Sequence, residues 1–413
     1  MRRIILSIIF LGGFYGFSQT EKSLTMDPSY TKKVFYSFEN GEVGSMRNDN
    51  WDIAFAVYTT QTAAIRINGG FGAELYQYTG GDTAEWATLD TAGLNTLTNW
   101  TRNRDDQSAY EPSAFEAQAT GHPNYGWGEY NNITHNVVGT KLFVVKTVAG
   151  DYKKVWIKEQ KAIGNTITIK VANLDNTLEY TKTIDKSVGS KNYLYFNLAT
   201  EAVMDNEPSN QTYDIVFTKY EGLAGPTSYY PLTGVVLTRG VGAAEMRDVP
   251  VADADLTQAN FVDDIDVIGS DWKSFNMTSF QWELPDSLSY FVEDLAGNIW
   301  HLWFTDWEGS TTGNLMFMQN KVVSASAKKV NSNTNFKIYP NPAVGFVQLD
   351  FSTEVLNAFE SIAIVDVTGR TVFESFQLQN IQNQPISTTN FDKGLYFVQL
   401  KGTETITQKL VVK

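Results

Sequence analysis

Alternating apolar and polar residues mark short segments along most of the chain. The alternation is clearest at 166–171, where isoleucine and valine are separated by Thr168 and Lys170, and it recurs around 141–146 and 154–158. Successive side chains of a β-strand point to opposite faces, so this period predicts strands with one buried face. Turn sequences separate these segments, among them Asn40-Gly41, Asn68-Gly69-Gly70, Gly80-Gly81 and Gly150-Asp151. The pattern predicts an all-β protein.

One stretch of the sequence occurs twice. Trp51-Asp52-Ile53-Ala54-Phe55 returns as Tyr213-Asp214-Ile215-Val216-Phe217, and each copy follows an aromatic strand-like segment. Further on, Trp127-Gly128-Glu129-Tyr130-Asn131 is echoed by Trp272-Lys273-Ser274-Phe275-Asn276. Landmarks repeated in the same order indicate a duplicated unit. We therefore predict two tandem β-modules, at about 30–185 and 190–322, in which Asp52 and Asp214 are structural carboxylates.

The two ends of the chain have different patterns. Residues 1–18 combine two arginines with an apolar segment and a small or polar end, which predicts a secretory signal peptide and a mature chain starting near Gln19. Residues 323–335 are rich in serine, lysine, alanine and asparagine, and predict a flexible linker. Alternation returns over 336–413 and predicts a small all-β domain of its own.

Composition and charge exclude several classes of function. The formal net charge of −14 argues against nucleic-acid binding, because phosphate backbones attract basic surfaces. The chain has no cysteine, so it lacks disulfides, thiolate metal sites and a lipid-modified cysteine anchor. It also lacks the common nucleophile, zinc-protease and P-loop motifs. A non-enzymatic role is predicted, and a glycosidase-type pair of carboxylates is the enzymatic alternative that stays open.

The C-terminal segment resembles the type A C-terminal sorting domain of the type IX secretion system. The residues that carry the resemblance are Ile338-Tyr339-Pro340-Asn341-Pro342, Val365-Asp366-Val367-Thr368-Gly369-Arg370, Gly394-Leu395-Tyr396-Phe397-Val398 and Gln408-Lys409-Leu410-Val411-Val412-Lys413. The resemblance implies an Ig-like β-sandwich that the secretion machinery recognises and its sortase removes, within the linker. The passenger is then expected at the cell surface or outside the cell, released or attached to lipopolysaccharide.

The passenger resembles the HmuY-type haemophores, which are secreted β-proteins that capture haem. The resemblance rests on Trp51-Asp52-Ile53-Ala54-Phe55, Ile67-Asn68-Gly69-Gly70, Trp127-Gly128-Glu129-Tyr130 and Val144-Val145-Lys146 with Gly150, and on their weaker echoes in the second module. It implies that haem, or a haem-carrying protein, is the partner. The chain departs from the family pattern because it has two modules and no lipidated cysteine.

The resemblance also implies where an axial haem ligand would lie. The family holds haem with a pair of histidines or methionines, one of which follows the motif tryptophan by five residues. That position is Asn132 in the first module and Met277 in the second. Met277 is therefore the predicted iron ligand, since thioethers ligate haem iron, in a flat cleft lined by Trp272 and Phe275. Packing of Met277 in an apolar gap is the alternative.

His135 is the predicted substitute ligand in the first module, because it lies three residues beyond Asn132. A hydrogen-bonding role at the start of a strand is its structural alternative. Met246, Met316 and Met318 are the unranked candidates for a second axial sulfur. The sequence thus predicts an exported haem-binding protein. The alternative is a non-enzymatic adhesion or glycan-binding protein whose aromatic residues form a stacking platform.

Overall fold

The computed structural model describes residues 20–225, 227–323, 336–351, 359–366, 370–376, 378, 384–402 and 405–413. They fall into two compact units that divide between residues 325 and 326. The predicted all-β class is confirmed, since antiparallel sheets make up both units. No helix within the described ranges combines the length and apolar character of a membrane span. The predicted signal peptide and nearly all of the predicted linker lie outside the described residues.

Residues 20–323, called the passenger below, consist of short strands joined by loops. The strands are β1 (Thr20–Thr25), β2 (Lys32–Ser37), β3 (Gly41–Arg47), β4 (Ile53–Ala56), β5 (Ile65–Ile67), β6 (Glu74–Tyr78), β7 (Trp100–Asn103), β8 (Gly128–Tyr130), β9 (Val137–Gly139), β10 (Phe143–Lys146), β11 (Tyr152–Lys161), β12 (Thr166–Asn173), β13 (Tyr180–Asp185), β14 (Tyr193–Phe196), β15 (Val203–Met204), β16 (Ile215–Leu223), β17 (Tyr229–Leu237), β18 (Gly242–Arg247), β19 (Ser274–Asn276), β20 (Gln281–Glu283), β21 (Leu288–Glu293), β22 (Ile299–Trp307) and β23 (Asn314–Val323). Short 3-10 helices lie at Pro28–Tyr30, Gly69–Phe71, Thr83–Ala87, Leu94–Thr96, Ala114–Glu116, Val251–Asp253, Leu256–Gln258 and Gly309–Thr311.

Four sheets form two sandwiches. Sheet 1 has the order β13-β12-β11-β10-β6-β7 with β8 and β9 beside it, and sheet 2 has the order β15-β14-β4-β5. Sheet 3 has the order β17-β16-β2-β3, and sheet 4 has the order β1-β23-β22-β21-β18. One apolar core lies between sheets 1 and 2, and a second lies between sheets 3 and 4. A smaller cluster joins the outer faces of sheets 2 and 3, so the sheets stack in the order 1, 2, 3, 4.

The sandwiches differ from the predicted module boundaries at 30–185 and 190–322, because each one includes strands from both repeats. β2 pairs with β16, and β1 pairs with β23, so the N-terminal strands complete the second sandwich. In the first sandwich the equivalent pairs are β14 with β4 and β13 with β12, and these strands complete it. Residues 53–204 therefore form the first sandwich from continuous chain. The second sandwich needs 20–47 as well as 215–323.

Matched contacts in the two sandwiches agree with the repeated stretches. Asp52 accepts hydrogen bonds from the backbone N–H groups of Val148 and Leu198, both at 2.8 Å. Asp214 accepts from Phe38 at 2.8 Å and from Leu295 at 3.4 Å. Each carboxylate thus connects the end of an aromatic strand, β14 for Asp52 and β2 for Asp214, to a loop of the facing sheet.

The C-terminal unit is a small sandwich of two sheets. Its strands are β24 (Phe336–Tyr339), β25 (Phe346–Phe351), β26 (Phe359–Asp366), β27 (Thr371–Ser375), β28 (Pro385–Ser387), β29 (Gly394–Gly402) and β30 (Thr405–Val412). One sheet has the order β24-β25-β28 and the other β27-β26-β29-β30. Their inward faces share a core that includes Leu349, Ile364 and Val398. This arrangement agrees with the predicted β-sandwich at 336–413.

Candidate functional site

The structure does not assemble the predicted cleft around Met277. Trp272 is only 2% exposed, and its indole stacks on Phe304 with ring centroids 3.8 Å apart in the core of the second sandwich. Phe275 and Met277 lie instead on the exposed hairpin of β19 and β20, with Met277 74% exposed. The prediction that Trp272 lines a surface cleft is therefore wrong, because the motif tryptophan belongs to the core. Of the candidate second sulfurs, Met246 is buried on β18, and Met316 and Met318 lie on β23.

The hairpin of β8 and β9 has the same tip as the hairpin of β19 and β20. Asn131 accepts hydrogen bonds from the N–H groups of residues 133 and 134, as Asn276 does from those of 278 and 279. His135 and Phe280 occupy the same left-handed position, with φ of 59° and 55°. Met277 corresponds in this geometry to Asn132, as the repeat predicts.

His135 lies beside a surface cleft of about 530 Å³ in the first sandwich. Its Nδ1 atom is 2.7 Å from the hydroxyl of Tyr130, the kind of contact that the hydrogen-bonding alternative describes. The ring of His122 also packs against Tyr130, with the two ring centroids 4.9 Å apart. Two of the three histidines of the chain therefore line one cleft.

A second cavity lies between sheets 2 and 3 and has a volume of about 110 Å³. The strands that form it are buried on both faces. On β2, Val34 and Tyr36 point into the second core. Lys33 and Phe35 alternate with them, so they point to the opposite face, at the cavity. The other strands follow the same rule, and they contribute Ala54, Tyr193, Tyr195 and Val216 to the cavity wall.

Glu207 organises one wall of this cavity. Its carboxylate accepts hydrogen bonds from the N–H groups of Asn192 at 3.0 Å and Tyr193 at 3.1 Å. It also accepts from the hydroxyls of Tyr195, at 3.0 Å, and Tyr213. Burial raises the pKa of Glu207, while the four donors and Lys33 favour its charged form. The carboxylate therefore fixes two tyrosine rings in place.

Lys33 places a cation against the aromatic wall. Its Nζ atom lies 5.2 Å from the ring centroid of Trp51 and 4.8 Å from that of Tyr195. The hydrogen bond to the Tyr195 hydroxyl is long, at 3.4 Å. Burial lowers the pKa of Lys33 to about 8; the Glu207 carboxylate opposes this shift, and the Arg66 guanidinium adds to it.

Arg66 supplies a second cation, and its side chain is incompletely paired. Its Nη2 atom donates to the backbone carbonyls of Asp106, at 3.2 Å, and Ala109. The buried Nε atom has no hydrogen-bond partner among the described residues. The same holds, within the part of the chain that the structure describes, for the buried hydroxyl of Tyr193, whose ring lies 5.9 Å from the guanidinium. The cavity thus contains donors that no described residue pairs.

None of Lys33, Arg66, Tyr193 and Glu207 is among the site residues predicted from the sequence. They come from separate parts of the chain, so no local spacing connects them. The available signal was a charged residue at an inward position of a strand, as at Lys33 on β2 and Arg66 on β5. A charge at such a position needs a partner or a function.

Comparison with known proteins identifies the C-terminal unit. Residues 337–413 match the family described as the secretion system C-terminal sorting domain. The segment is therefore a type IX secretion sorting domain, which interacts with that machinery, and the protein is exported across the outer membrane to the cell surface or beyond. No curated protein and no solved structure matches the chain. The resemblance of the passenger to HmuY-type haemophores stays a prediction.

Proposed function

We propose that the passenger is an exported binding protein for a small molecule, and that its site is the cavity between sheets 2 and 3. The observation that carries the proposal is the pair of buried donors, Arg66 Nε and Tyr193 Oη, which lie in one cavity and have no partner among the residues that the structure describes. An unsatisfied buried donor destabilises a protein by about 1–3 kcal/mol. Departures of this kind concentrate at functional sites, where a ligand supplies the missing partner.

A binding role is favoured over catalysis because the carboxylates of the cavity are already engaged. Glu207 accepts four hydrogen bonds, as described above. Asp105 accepts from the backbone N–H groups of Ala114 at 2.8 Å and Ile67 at 3.2 Å. A general base needs a lone pair within reach of the proton that it removes. Both acids instead hold the walls of the cavity.

Native mass spectrometry of the exported protein tests the proposed site. We expect wild-type protein purified from secreting cells to carry a small-molecule adduct that the Ala54→Leu variant lacks, because Ala54 lines the cavity and the larger side chain fills it. Ala172→Leu is the matched control, since Ala172 is equally buried but belongs to the cluster on the outer face of sheet 1. An adduct that survives in Ala54→Leu would place the ligand elsewhere.

Haem is a second candidate, favoured by the cleft that contains His122 and His135. Imidazoles are established axial ligands of haem iron. The hairpin of Met277 is a poorer fit, because its sulfur is exposed and its motif tryptophan is buried in the core. The role proposed here for the histidines is to bind the iron, with Tyr130 orienting His135 through its 2.7 Å hydrogen bond.

Titration with haemin separates the two haem assignments. For a site in the cleft, we expect a low-spin spectrum in the wild type that His135→Ala and His122→Ala each abolish and that Met277→Ala leaves unchanged. A low-spin spectrum that Met277→Ala abolishes and the two histidine variants leave unchanged would instead assign the iron site to Met277. A wild-type protein that produces no Soret shift would eliminate haem as a ligand, and it would leave the cavity between sheets 2 and 3 unaffected.

A further inference from the structure

We infer that the ligand of the cavity between sheets 2 and 3 is a small monocarboxylate, bound by Arg66, Lys33 and Tyr193. The inference rests on the proposed function and adds the chemistry of the ligand. Three kinds of observation carry it: which polar atoms of the cavity are available, which charges are already paired, and what the remaining wall consists of.

The available polar atoms are donors. Arg66 Nε and Tyr193 Oη are buried without partners among the described residues. Lys33 Nζ carries three protons, and the described part of the chain offers it a single long hydrogen bond of 3.4 Å, to Tyr195. A ligand that satisfies these groups must present acceptor oxygens. Charge-assisted bonds to a guanidinium or an ammonium are about twice as strong as neutral ones, which favours an anionic oxygen.

The acidic residues of the cavity compensate these cations only through space, Glu207 favouring charged Lys33 and Asp105 favouring charged Arg66, while their oxygens accept hydrogen bonds from other groups. Glu221 pairs with Arg102 at 3.2 Å and with Arg104 at 3.4 Å. Asp106 accepts from the N–H and the hydroxyl of Ser108, both at 2.8 Å. Glu207 and Asp105 are held as described above. Lys33 and Arg66 are nevertheless like charges that share one cavity and repel each other, and an anionic oxygen between them would relieve that repulsion.

Size and shape limit the rest of the ligand. Aromatic rings of Trp51, Tyr193, Tyr195 and Tyr213 make up much of the wall. The cavity volume of about 110 Å³ is smaller than the roughly 150 Å³ of an engineered apolar cavity that binds benzene. The part of the ligand that lies inside the cavity is therefore short or a single flat ring.

Isothermal titration of the exported protein with matched acids and amides tests the charge requirement. The probes are propionate with propionamide, benzoate with benzamide, and methyl glucoside as a neutral sugar. Each amide has nearly the shape of its acid but lacks the negative charge. We expect at least one carboxylate to bind, and its amide to bind at least ~10-fold more weakly, because one charge-assisted hydrogen bond corresponds to about that factor.

Two variants separate ligand binding from a structural role. Tyr193→Phe removes only the unpaired hydroxyl, and Lys33→Met replaces a buried cation by an apolar chain of similar length. Both are expected to weaken binding of the carboxylate by about 10-fold or more. Tyr193→Phe should leave the melting temperature of the free protein unchanged or raised, because its hydroxyl has no hydrogen-bond partner among the described residues. Lys33→Met should lower it, because buried Glu207 loses a nearby cation. Tyr180→Phe is the control, since its hydroxyl donates to Leu198 at 2.8 Å outside the cavity.

The control should lower the melting temperature and leave carboxylate binding unchanged. Equal affinity for acid and amide, or preferential binding of methyl glucoside lost in Ala54→Leu, would overturn the monocarboxylate and leave the binding cavity in place. Failure of both acids to bind would overturn the inference. If the Ala54→Leu variant also retains every adduct of the wild type, the proposed site itself is wrong.

Discussion

A chain that begins at Asn48 is expected to lose its second sandwich while the first stays folded. The missing segment contains β1, β2 and β3, which pair with β23 and β16. It also contributes five buried apolar side chains to the second core, namely Leu24, Met26, Val34, Tyr36 and Phe38. Burial of that many large side chains contributes roughly 10 kcal/mol, which is comparable with the whole stability of a typical domain. The first sandwich contains no strand from this segment.

Limited proteolysis with mass mapping checks this expectation. New cleavage sites should appear in 242–323, and 53–204 should stay protected. Tryptophan emission should shift to the red, because Trp272, Trp300 and Trp307 lose their buried environment. The matched control is a chain that ends at Val323, which removes a separate compact unit with its own core and should leave both sandwiches protected. Protection of 242–323 in the shortened chain would show that the N-terminal strands are dispensable.

The sequence does not predict that β2 pairs with β16 and β14 with β4. Period-two alternation identifies which residues of β2 face a core, and repeated landmarks identify equivalent strands. Neither signal specifies the partner, because β4 and β16 begin with the similar sequences Ile53-Ala54-Phe55 and Ile215-Val216-Phe217, and either could accept β2. The all-β class and the C-terminal sorting domain were predicted correctly, since both depend on local patterns. Which strand pairs with β2 or β14 depends on the fold of the whole passenger.

The residues of the candidate sites were likewise not predictable from local spacing. The resemblance directed attention to the residues after each motif tryptophan, yet spacing does not show that Trp272 faces a core and Met277 the solvent. The cavity between sheets 2 and 3 is built from strands β2, β4, β5, β14 and β16 and from the loop that carries Glu207. Its unpaired donors become apparent only when every neighbour of Arg66 and Tyr193 is known.

Replacement of Asp52 by alanine is expected to lower the free energy of unfolding by about 4 kcal/mol. The side chain is 1% exposed, and its two oxygens accept from the N–H groups of Val148 and Leu198 at 2.8 Å each. Alanine leaves both donors buried without an acceptor, at about 1–3 kcal/mol for each donor. Asp214→Ala should cost slightly less, because its bond to Leu295 is long, at 3.4 Å. Urea unfolding measures both losses, with the exposed carboxylate of Asp185 as the control that should change stability little.

The pH dependence of stability gives these carboxylates a second signature. Burial raises the pKa of Asp214 from 3.8 to about 6. Between these values the folded state binds a proton that the unfolded state has lost, so this group makes the protein less stable as the pH rises from about 4 to 6. The shift corresponds to up to about 3 kcal/mol. Asp214→Asn should therefore flatten the dependence of the unfolding free energy on pH over this range. A loss below about 1 kcal/mol in Asp52→Ala would show that this carboxylate does not hold β14 in place. An unchanged pH profile in Asp214→Asn would show that burial does not raise the pKa of Asp214.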